Sequence, residues 1–244
     1  MTEILFDREL LARNHKRYAG VFDQHNFLFT EVANRIAQNV ESLNREFESA
    51  LEIGPRDGYL SAQIKSQKIS QIDDLEILPF EKESFDLIVS NLNFHFINAL
   101  PQFLLQVREL LKPNGIFIAS FFGEENLSEL AHVLHKTENE IYNGISPRMP
   151  PTIDIKTAAA LLHKAGFADP ISDFDKIEVE YSNPYNLLKD LKFTSQGNIM
   201  TKRSRRFFTK KFLQKILENY RELYTAPDGG VKATYEIVTV TGWK

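Results

Sequence analysis

Apolar residues recur along this chain at two spacings, which predict helices alternating with strands. Over residues 27–43 the apolar positions fall on one helical face, and the same spacing returns over 100–111. Short apolar runs at 50–53, 85–89 and 116–122, bounded by glycine or polar residues, have the character of buried strands. Because the two patterns alternate, we predict an α/β fold with a mostly parallel sheet.

The rest of the pattern completes one predicted domain, residues 1–244. Helical spacing also predicts helices at 7–19, 59–67, 126–141, 154–166 and 210–224, with a short helix that starts at Asn183-Pro184. Two late strands follow at 171–181 and 233–241, and we expect one antiparallel strand at that end of the sheet. We expect N-terminal helices within 1–48, and a helical insertion at 182–227 that caps the functional site.

Composition narrows the class of protein. An apolar fraction of 43% supports a sizeable core, and a formal net charge of −4 gives no reason to expect a nucleic-acid partner. The absence of cysteine excludes disulfides, thiol nucleophiles and cysteine-based zinc sites. No apolar run approaches the roughly 18 residues of a transmembrane helix, and the N-terminus lacks an apolar signal core. We therefore expect a cytoplasmic, bacterial-like protein, and its oligomeric state stays open.

Glycine and polar residues stand where two of the predicted strands end. Residues 49–58, SALEIGPRDG, run from an apolar strand into a loop with Gly54 and Gly58, and Ser90 and Asn91 end the strand at 85–89. The carboxyl ends of neighbouring parallel strands form the ligand crevice of an open α/β sheet. A nucleoside triphosphate site would need a lysine after the glycine loop, and none follows Gly58.

Three blocks carry a family resemblance that extends over nearly the whole chain. They are FDRELLARN near the start, LPFEKESFDLIVSNLNFHFINALPQFLLQVRELLKPNGIFIASFFG in the middle and DGGVKATYEIVTVTGWK at the end. Together they resemble class I S-adenosylmethionine (SAM) methyltransferases, which implies a Rossmann-like sheet. They resemble in particular the branch that holds the malonyl-acyl-carrier-protein methyltransferases of biotin synthesis and the arginine-hydroxylating complex I assembly factor. The terminal block and the FDR start are more similar to the assembly factor.

The resemblance implies roles for individual residues. Glu52 would lie near the methionine amino group, Gly54 and Gly58 would form the cofactor loop, and Asn91 would flank the sulfonium. Asp73 would accept hydrogen bonds from the ribose hydroxyls, which suits a carboxylate, and Asp74 would meet the adenine amino group. The alternatives are a tight turn for the glycines and solvated surface for the two aspartates.

Substrate contacts are expected from a second group of residues. His95 and Phe96 match a His-Trp pair of the family, where an aromatic ring covers cofactor or substrate; packing against the helix at 100–111 is the alternative. The cap offers Tyr181, Tyr185, Phe193 and Asn198, for any of which core packing is the simpler interpretation. No Ser-His-Asp set or pair of acids stands out, so no catalytic residue is assigned.

Two departures from the family pattern bear on the cofactor. Arg56 occupies the middle position of a loop that in relatives reads Gly-x-Gly-x-Gly, where backbone approaches the ligand. Between the loop and Leu78, relatives have about twenty more residues; here the short segment 65–77 predicts that the third strand and its helix are lost from the sheet edge. We therefore expect SAM binding to be weak or absent.

The densest charge cluster of the chain runs from Lys202 to Lys211. A solvated helix start is the simplest explanation, and capture of an acidic protein or carrier-bound substrate is the functional one. His132 and His135 lie three residues apart on a predicted helix, but no third ligand has matching spacing, so we expect no metal.

Three functions remain open at this point. The first is methyl transfer from SAM to a macromolecular or carrier-bound acceptor. The second is a bacterial counterpart of the arginine-hydroxylating assembly factor. The third is a non-catalytic assembly protein that kept the fold and lost SAM.

Overall fold

A computed structural model describes residues 4–204, 206 and 208–244. The helices are α1 (Arg8–Tyr18), α2 (Phe27–Ser42), α3 (Tyr59–Gln63), α4 (Leu100–Leu110), α5 (Ser128–Tyr142), α6 (Ile155–Lys164), α7 (Pro184–Phe193) and α8 (Lys210–Tyr224). The strands are β1 (Phe47–Ile53), β2 (Ser66–Ile72), β3 (Phe85–Asn91), β4 (Leu111–Phe122), β5 (Ala168–Tyr181) and β6 (Val231–Trp243). Short 3-10 helices cover Ala19–Gln24 and Phe94–Phe96.

The strands form one six-stranded sheet in the order β2-β1-β3-β4-β6-β5. Strands β2, β1, β3 and β4 pair in parallel, while β6 pairs antiparallel with both β4 and β5. This confirms the predicted α/β sheet with an antiparallel C-terminal strand. Among the described residues, β2 is the one strand that follows β1 and precedes β3 in the sequence, and it forms the edge of the sheet. The sheet edge is therefore shortened, as predicted. The helix predicted at 59–67 is shorter, because the chain from Ser66 already pairs with β1.

Apolar side chains fill both faces of the sheet because successive residues of a strand point to opposite sides. In β1, Ala50 belongs to the core on the α2 side, whereas Leu51 and Ile53 belong to the core beneath α4 and α6. Strand β3 alternates in the same way, with Val89 on the first face and Ile88 on the second. Burial on both faces explains why these strands are continuous apolar runs in the sequence.

The N-terminal segment and the predicted cap are joined through backbone hydrogen bonds. Asp7 N–H donates to the carbonyl of Ile199 at 2.8 Å, and Thr201 N–H donates to the carbonyl of Leu5 at 2.9 Å. Asn98 holds the same segment from the other side, since its Oδ1 accepts the N–H of Leu5 at 2.8 Å and of Phe6 at 2.7 Å. Helix α1 therefore starts from an anchored segment at the edge of the cap.

Two adjacent leucines on α4 provide a test of this core. Leu104 is fully buried and Leu105 is 51% exposed. We expect Leu104→Ala to lower the free energy of unfolding by about 2–5 kcal/mol, because it leaves a cavity. Leu105→Ala is the matched control and should change it by less than about 0.5 kcal/mol. Urea unfolding followed by circular dichroism measures both, and equal effects would contradict the burial of Leu104.

Candidate functional site

A cavity of about 310 Å³ lies at the carboxyl ends of β1 and β3, and we refer to it as the crevice. The strand ends contribute Gly54, Arg56, Asp73 and Asn93 to its lining. Helix α1 covers it with one face, from which Arg8, Leu11 and His15 line the same space. The crevice thus occupies the position at which an open α/β sheet binds its ligand.

Gly54 permits the tight contact on which the crevice is built. Its φ is +72°, and a Cβ there would lie 2.8 Å from Leu75 Cδ2 and 2.9 Å from Asn93 Cγ. Its carbonyl accepts a hydrogen bond from Asn93 Nδ2 at 2.7 Å, and its N–H donates to the carbonyl of Ile72 at 2.8 Å. A side chain at this position would push apart the loop and the segment that follows β3.

The polar residues at the end of β3 and just after it make different contacts. Ser90 Oγ donates to the carbonyl of Ile53 at 3.0 Å, and Asn91 Nδ2 donates to the carbonyl of Phe29 at 2.9 Å. Asn91 therefore ties α2 to the strand end, and Asn93, which the sequence reasoning missed, lines the crevice. The signal for Asn93 was its spacing, two residues after Asn91. Its Oδ1 is buried and has no hydrogen-bond partner.

Glu52 and Gly58 lie on the far side of the loop, outside the crevice lining. The Glu52 carboxylate accepts hydrogen bonds from Ser61 Oγ and, at 3.2 Å, from Gln71 Nε2. Burial raises the pKa of Glu52, and these hydrogen bonds partly oppose the shift. Gly58 has φ +74° and precedes α3, and a Cβ there would meet Gln71 Nε2 at 3.5 Å. Cofactor binding by either residue stays a prediction.

The two aspartates after β2 are separated by the structure. Asp73 lines the crevice. Asp74 faces its own turn, where its Oδ1 accepts the N–H of Glu76 at 2.8 Å and of Ile77 at 3.1 Å. Binding of ribose hydroxyls by Asp73 and of the adenine amino group by Asp74 stays a prediction.

Four basic residues line the crevice, namely Arg8, His15 and Lys16 of α1 and Arg56 of the loop, and the sequence analysis named only Arg56. Arg8 and His15 are two helical turns apart on α1, a spacing that would have predicted one face. The Arg56 guanidinium carbon lies 4.6 Å from the centre of the Phe22 ring. Burial lowers the pKa of Arg56 to about 10, so it stays charged at neutral pH. Burial and the nearby positive charges of Arg56 and Arg8 lower the pKa of His15 to about 3, so His15 is neutral.

The crevice residues fit a zwitterionic nucleoside such as SAM. Asp73 and the unpartnered Oδ1 of Asn93 are hydrogen-bond acceptors suited to hydroxyl and amino groups. Arg8 Nε and Nη1 and Arg56 Nε are buried without a partner and suit a carboxylate. The ring nitrogen Nε2 of His15 is likewise unpartnered.

A second cavity, of about 940 Å³, lies beneath the predicted cap, and we refer to it as the cap cavity. His95, Phe96, Tyr185, Phe193 and Asn198 line it, and substrate binding by these residues stays a prediction. Helix α1 separates the two cavities, because its Asn14 and Tyr18 face the cap cavity while its Arg8 and His15 face the crevice.

His95 is a buried polar group between the core and the cap. Its Nε2 lies 3.0 Å from Gln196 Oε1, while Nδ1 is buried without a partner. Burial lowers the pKa of His95 to about 4, so the ring is neutral at physiological pH. Asn198 Nδ2 donates to the carbonyl of Pro147 at 2.9 Å. Tyr181 lies away from both cavities in the core, where its hydroxyl is 2.9 Å from that of Tyr235.

One of the helix histidines and part of the basic run at 202–211 contact other residues of the protein. His132 Nδ1 lies 2.7 Å from the Tyr224 hydroxyl, and the described residues contain no cluster of three or more His, Asp or Glu suited to a metal. Arg203 forms an ion pair with Asp7 at 3.2 Å. Lys210 and Lys211 are exposed at the start of α8, and Arg205 lies outside the described residues. No helix in the described ranges is long and apolar enough to cross a membrane.

Comparison with known proteins gives one consistent family. A profile described as "Methyltransferase domain" matches residues 31–119. The chain is 34% identical to "Arginine-hydroxylase NDUFAF5, mitochondrial" of Rattus norvegicus, over 98% of this chain and 77% of that protein. It is 26% identical to "Malonyl-[acyl-carrier protein] O-methyltransferase" of Halorhodospira halophila, over 97% of this chain and 88% of that protein. The crystal structure of YcgJ from Bacillus subtilis shares the fold, with a TM-score of 0.54 at 12% identity, covering 88% of this chain and 98% of that one.

The close contact at Gly54 generates a stability prediction. We expect Gly54→Ala to lower the free energy of unfolding by about 1–3 kcal/mol or more, because a positive φ and a clash with Asn93 and Leu75 combine. Gly197→Ala is the matched control, since nothing lies within 4 Å of a Cβ there. Chemical unfolding of both variants measures the difference. Equal stabilities would show that the loop relaxes without cost.

The buried His95 generates a pH prediction. Its pKa is about 4 in the folded chain against 6.5 for an ordinary histidine, so the unfolded state binds more protons between these values. The neutral His95 ring therefore contributes fully to the free energy of unfolding above pH 6.5. This contribution is lost as pH falls toward 4, by on the order of 1 kcal/mol per pH unit. His95→Gln should lose less stability than the wild type over this range, whereas the exposed control His163→Gln should follow it. Urea unfolding at pH 7, 5.5 and 4.5 measures the free energy of unfolding of the three proteins. The same dependence on pH for all three would contradict the lowered pKa of His95.

Proposed function

Since this chain belongs to the class I SAM-dependent methyltransferase family, in the branch of the arginine-hydroxylase NDUFAF5, we propose that it binds SAM in the crevice and methylates an acceptor presented in the cap cavity. The observation that carries the proposal is the pair of cavities on either side of α1. One has the lining of a cofactor site and the other has the size of a substrate site.

In the crevice, the chain's own residues bind the cofactor and orient it. Asp73 accepts hydrogen bonds from hydroxyl groups, and the Asn93 amide is fixed by its bonds to the carbonyls of Gly54 and Asn91, at 2.7 and 2.8 Å. Bound SAM supplies an electrophilic methyl group to a nucleophilic acceptor atom. Because methyl transfer is an in-line displacement, alignment by rigid groups supplies most of the acceleration.

At the cap cavity, charge favours an acidic acceptor. Among the described lining residues Glu124 is the one acid, while Arg148, Lys189, Lys192 and Arg203 are basic. Arg148 is paired with Glu138 and Arg203 with Asp7, so the excess of positive charge rests on Lys189 and Lys192. Lys210 and Lys211 extend the positive surface at the start of α8. Complementary charge steers an acidic macromolecule or carrier protein to such a surface and increases its association rate.

A second candidate function is hydroxylation of an arginine side chain in a protein partner. It is favoured by the 34% identity to the arginine-hydroxylase over 98% of this chain. The reaction needs an oxidant in addition to the protein, and the basic lining of the cap cavity is unfavourable for a guanidinium. The third candidate, an assembly protein without SAM, is favoured by Arg56 in the crevice.

One set of measurements separates the three. We expect calorimetry to detect SAM binding, and mass spectrometry after incubation with SAM and an acidic carrier protein to show product heavier by one methylene unit. Addition of one oxygen atom to a protein arginine would support the hydroxylase instead. Absence of binding at millimolar SAM would overturn the first proposal in favour of the non-catalytic one.

The basic surface is tested in the same assay. The double variant Lys210→Glu, Lys211→Glu should raise the KM for the carrier-bound acceptor severalfold and leave SAM affinity unchanged, because acidic residues also suit a helix N-terminus. Lys65→Glu, Lys82→Glu makes the same change in net charge on exposed side chains away from the cap. Equal effects of the two double variants would show that net charge alone, and not this surface, guides the acceptor.

A further inference from the structure

The turn that ends α7 places buried polar side chains against the cap cavity. Ser195 and Gln196 are both buried, and both line that cavity. Two backbone hydrogen bonds close the turn, from Ser195 N–H to the carbonyl of Lys192 at 3.2 Å and from Gln196 N–H to the carbonyl of Leu191 at 2.8 Å. Glycine is the usual residue at the position of Ser195 in such a turn. Here a serine is held at φ +64°, a strained conformation of the kind that clusters at functional positions.

Gln196 fixes which ring nitrogen of His95 carries the proton. The Gln196 amide nitrogen donates to the carbonyl of Leu92 at 3.3 Å, so its Oε1 faces His95 Nε2 at 3.0 Å. Because an amide oxygen only accepts hydrogen bonds, Nε2 is the protonated nitrogen and Nδ1 carries the lone pair. His95 Nδ1 is therefore a fixed hydrogen-bond acceptor, and it is buried without a partner.

Ser195 Oγ is a second buried atom of the cap cavity that has no partner. Its hydroxyl can donate a hydrogen bond, so together with His95 Nδ1 the cavity offers one donor and one fixed acceptor. Buried polar atoms are costly when they stay unpaired, and a ligand that pairs both atoms removes that cost. Among the described lining residues, Asn126 Oδ1 and Arg148 Nη2 are the other unpartnered atoms, and Arg148 is already ion-paired with Glu138 at 2.8 Å.

The surroundings of His95 are uncharged. Burial lowers its pKa and the hydrogen bond with Gln196 opposes the shift, with no contribution from a charged side chain of the described residues. The charged residues of the described lining are ion-paired, packed on aromatic rings or exposed, namely Arg148, Arg203, Lys189, Lys192 and Glu124. An uncharged region is compatible with an acidic acceptor, because electrostatic steering acts on the macromolecule as a whole.

We propose that Ser195 and His95 form a subsite of the cap cavity that binds an uncharged amide group of the acceptor, with Gln196 as the residue that positions His95. The inference deepens the proposed function and rests on it for the role of the ligand as methyl acceptor. An amide pairs both atoms, because its N–H donates to His95 Nδ1 and its carbonyl accepts from Ser195 Oγ. A carboxylate has no hydrogen to donate to Nδ1, and an ammonium would lose its hydration without gaining a counter-charge.

Nitrogen NMR of the isotope-labelled full chain at pH 7 tests this amide subsite, because the protonated and unprotonated ring nitrogens of a histidine have different chemical shifts. We expect a protonated Nε2 and an unprotonated Nδ1 for His95. Titration with butanamide should move the Nδ1 signal, and butyrate and butylamine should bind at least about tenfold more weakly. N-methylbutanamide shows whether the subsite takes an amide within a chain or only a terminal one.

Ser195→Gly is the decisive variant, because glycine suits a positive φ and removes the hydroxyl. The melting temperature should stay the same or rise, while the affinity for butanamide falls severalfold. Asn143→Gly makes the same backbone change at the positive-φ end of α5 and should bind butanamide like the wild type. Gln196→Leu should replace the single His95 tautomer by a mixture of the two and also weaken butanamide.

Three results would overturn the amide subsite. They are a protonated Nδ1 in the wild type, butyrate binding as tightly as butanamide, and unchanged butanamide affinity in Ser195→Gly. Calorimetry with SAM on the same samples separates this inference from the proposed function. SAM binding without a response to butanamide leaves the cofactor proposal standing and the subsite wrong, whereas a response to butanamide without SAM binding has the reverse meaning.

Discussion

The attachment of the N-terminal segment decides where the rest of the site lies. Asn98 accepts two backbone N–H groups of that segment through Oδ1, and its Nδ2 donates to the carbonyl of Phe6 at 3.2 Å. On the other side the segment pairs with Ile199 and Thr201 of the cap. Helix α1 follows directly from Phe6 and Asp7, so these bonds place it over the strand ends. Because α1 forms the wall that the two cavities share, both cavities depend on these hydrogen bonds.

This arrangement links the cap cavity and the crevice through one helix. The Asp7 side chain caps α1 by accepting the N–H of Leu10 at 2.9 Å, and it also pairs with Arg203 of the cap. Asp7 therefore joins the cap to the first turn of α1, from which Arg8 lines the crevice.

The glycine loop shows how a departure from the family pattern is accommodated. Gly54 lies so close to Asn93 and Leu75 that its position leaves no room for a side chain. The position of Arg56 tolerates a long side chain because its guanidinium packs on Phe22. The substitution therefore changes the charge of the crevice and leaves its backbone geometry intact. Arg56 is thereby part of the crevice wall.

Sequence alone determined the order of elements, the buried strands and the general position of the crevice. These follow from hydrophobic periodicity and from glycine and polar residues at strand ends, which are local properties. The shortened sheet edge was implied by the family resemblance, because relatives have a longer segment there. The sequence did not predict the basic cluster, since Arg8 and Arg56 are 48 positions apart and meet through the anchoring of α1. It also did not separate Asp73 from Asp74 or Asn91 from Asn93. Neighbouring polar residues are equivalent in a sequence, and only the direction of each side chain, set by tertiary packing, decides which of them lines the crevice.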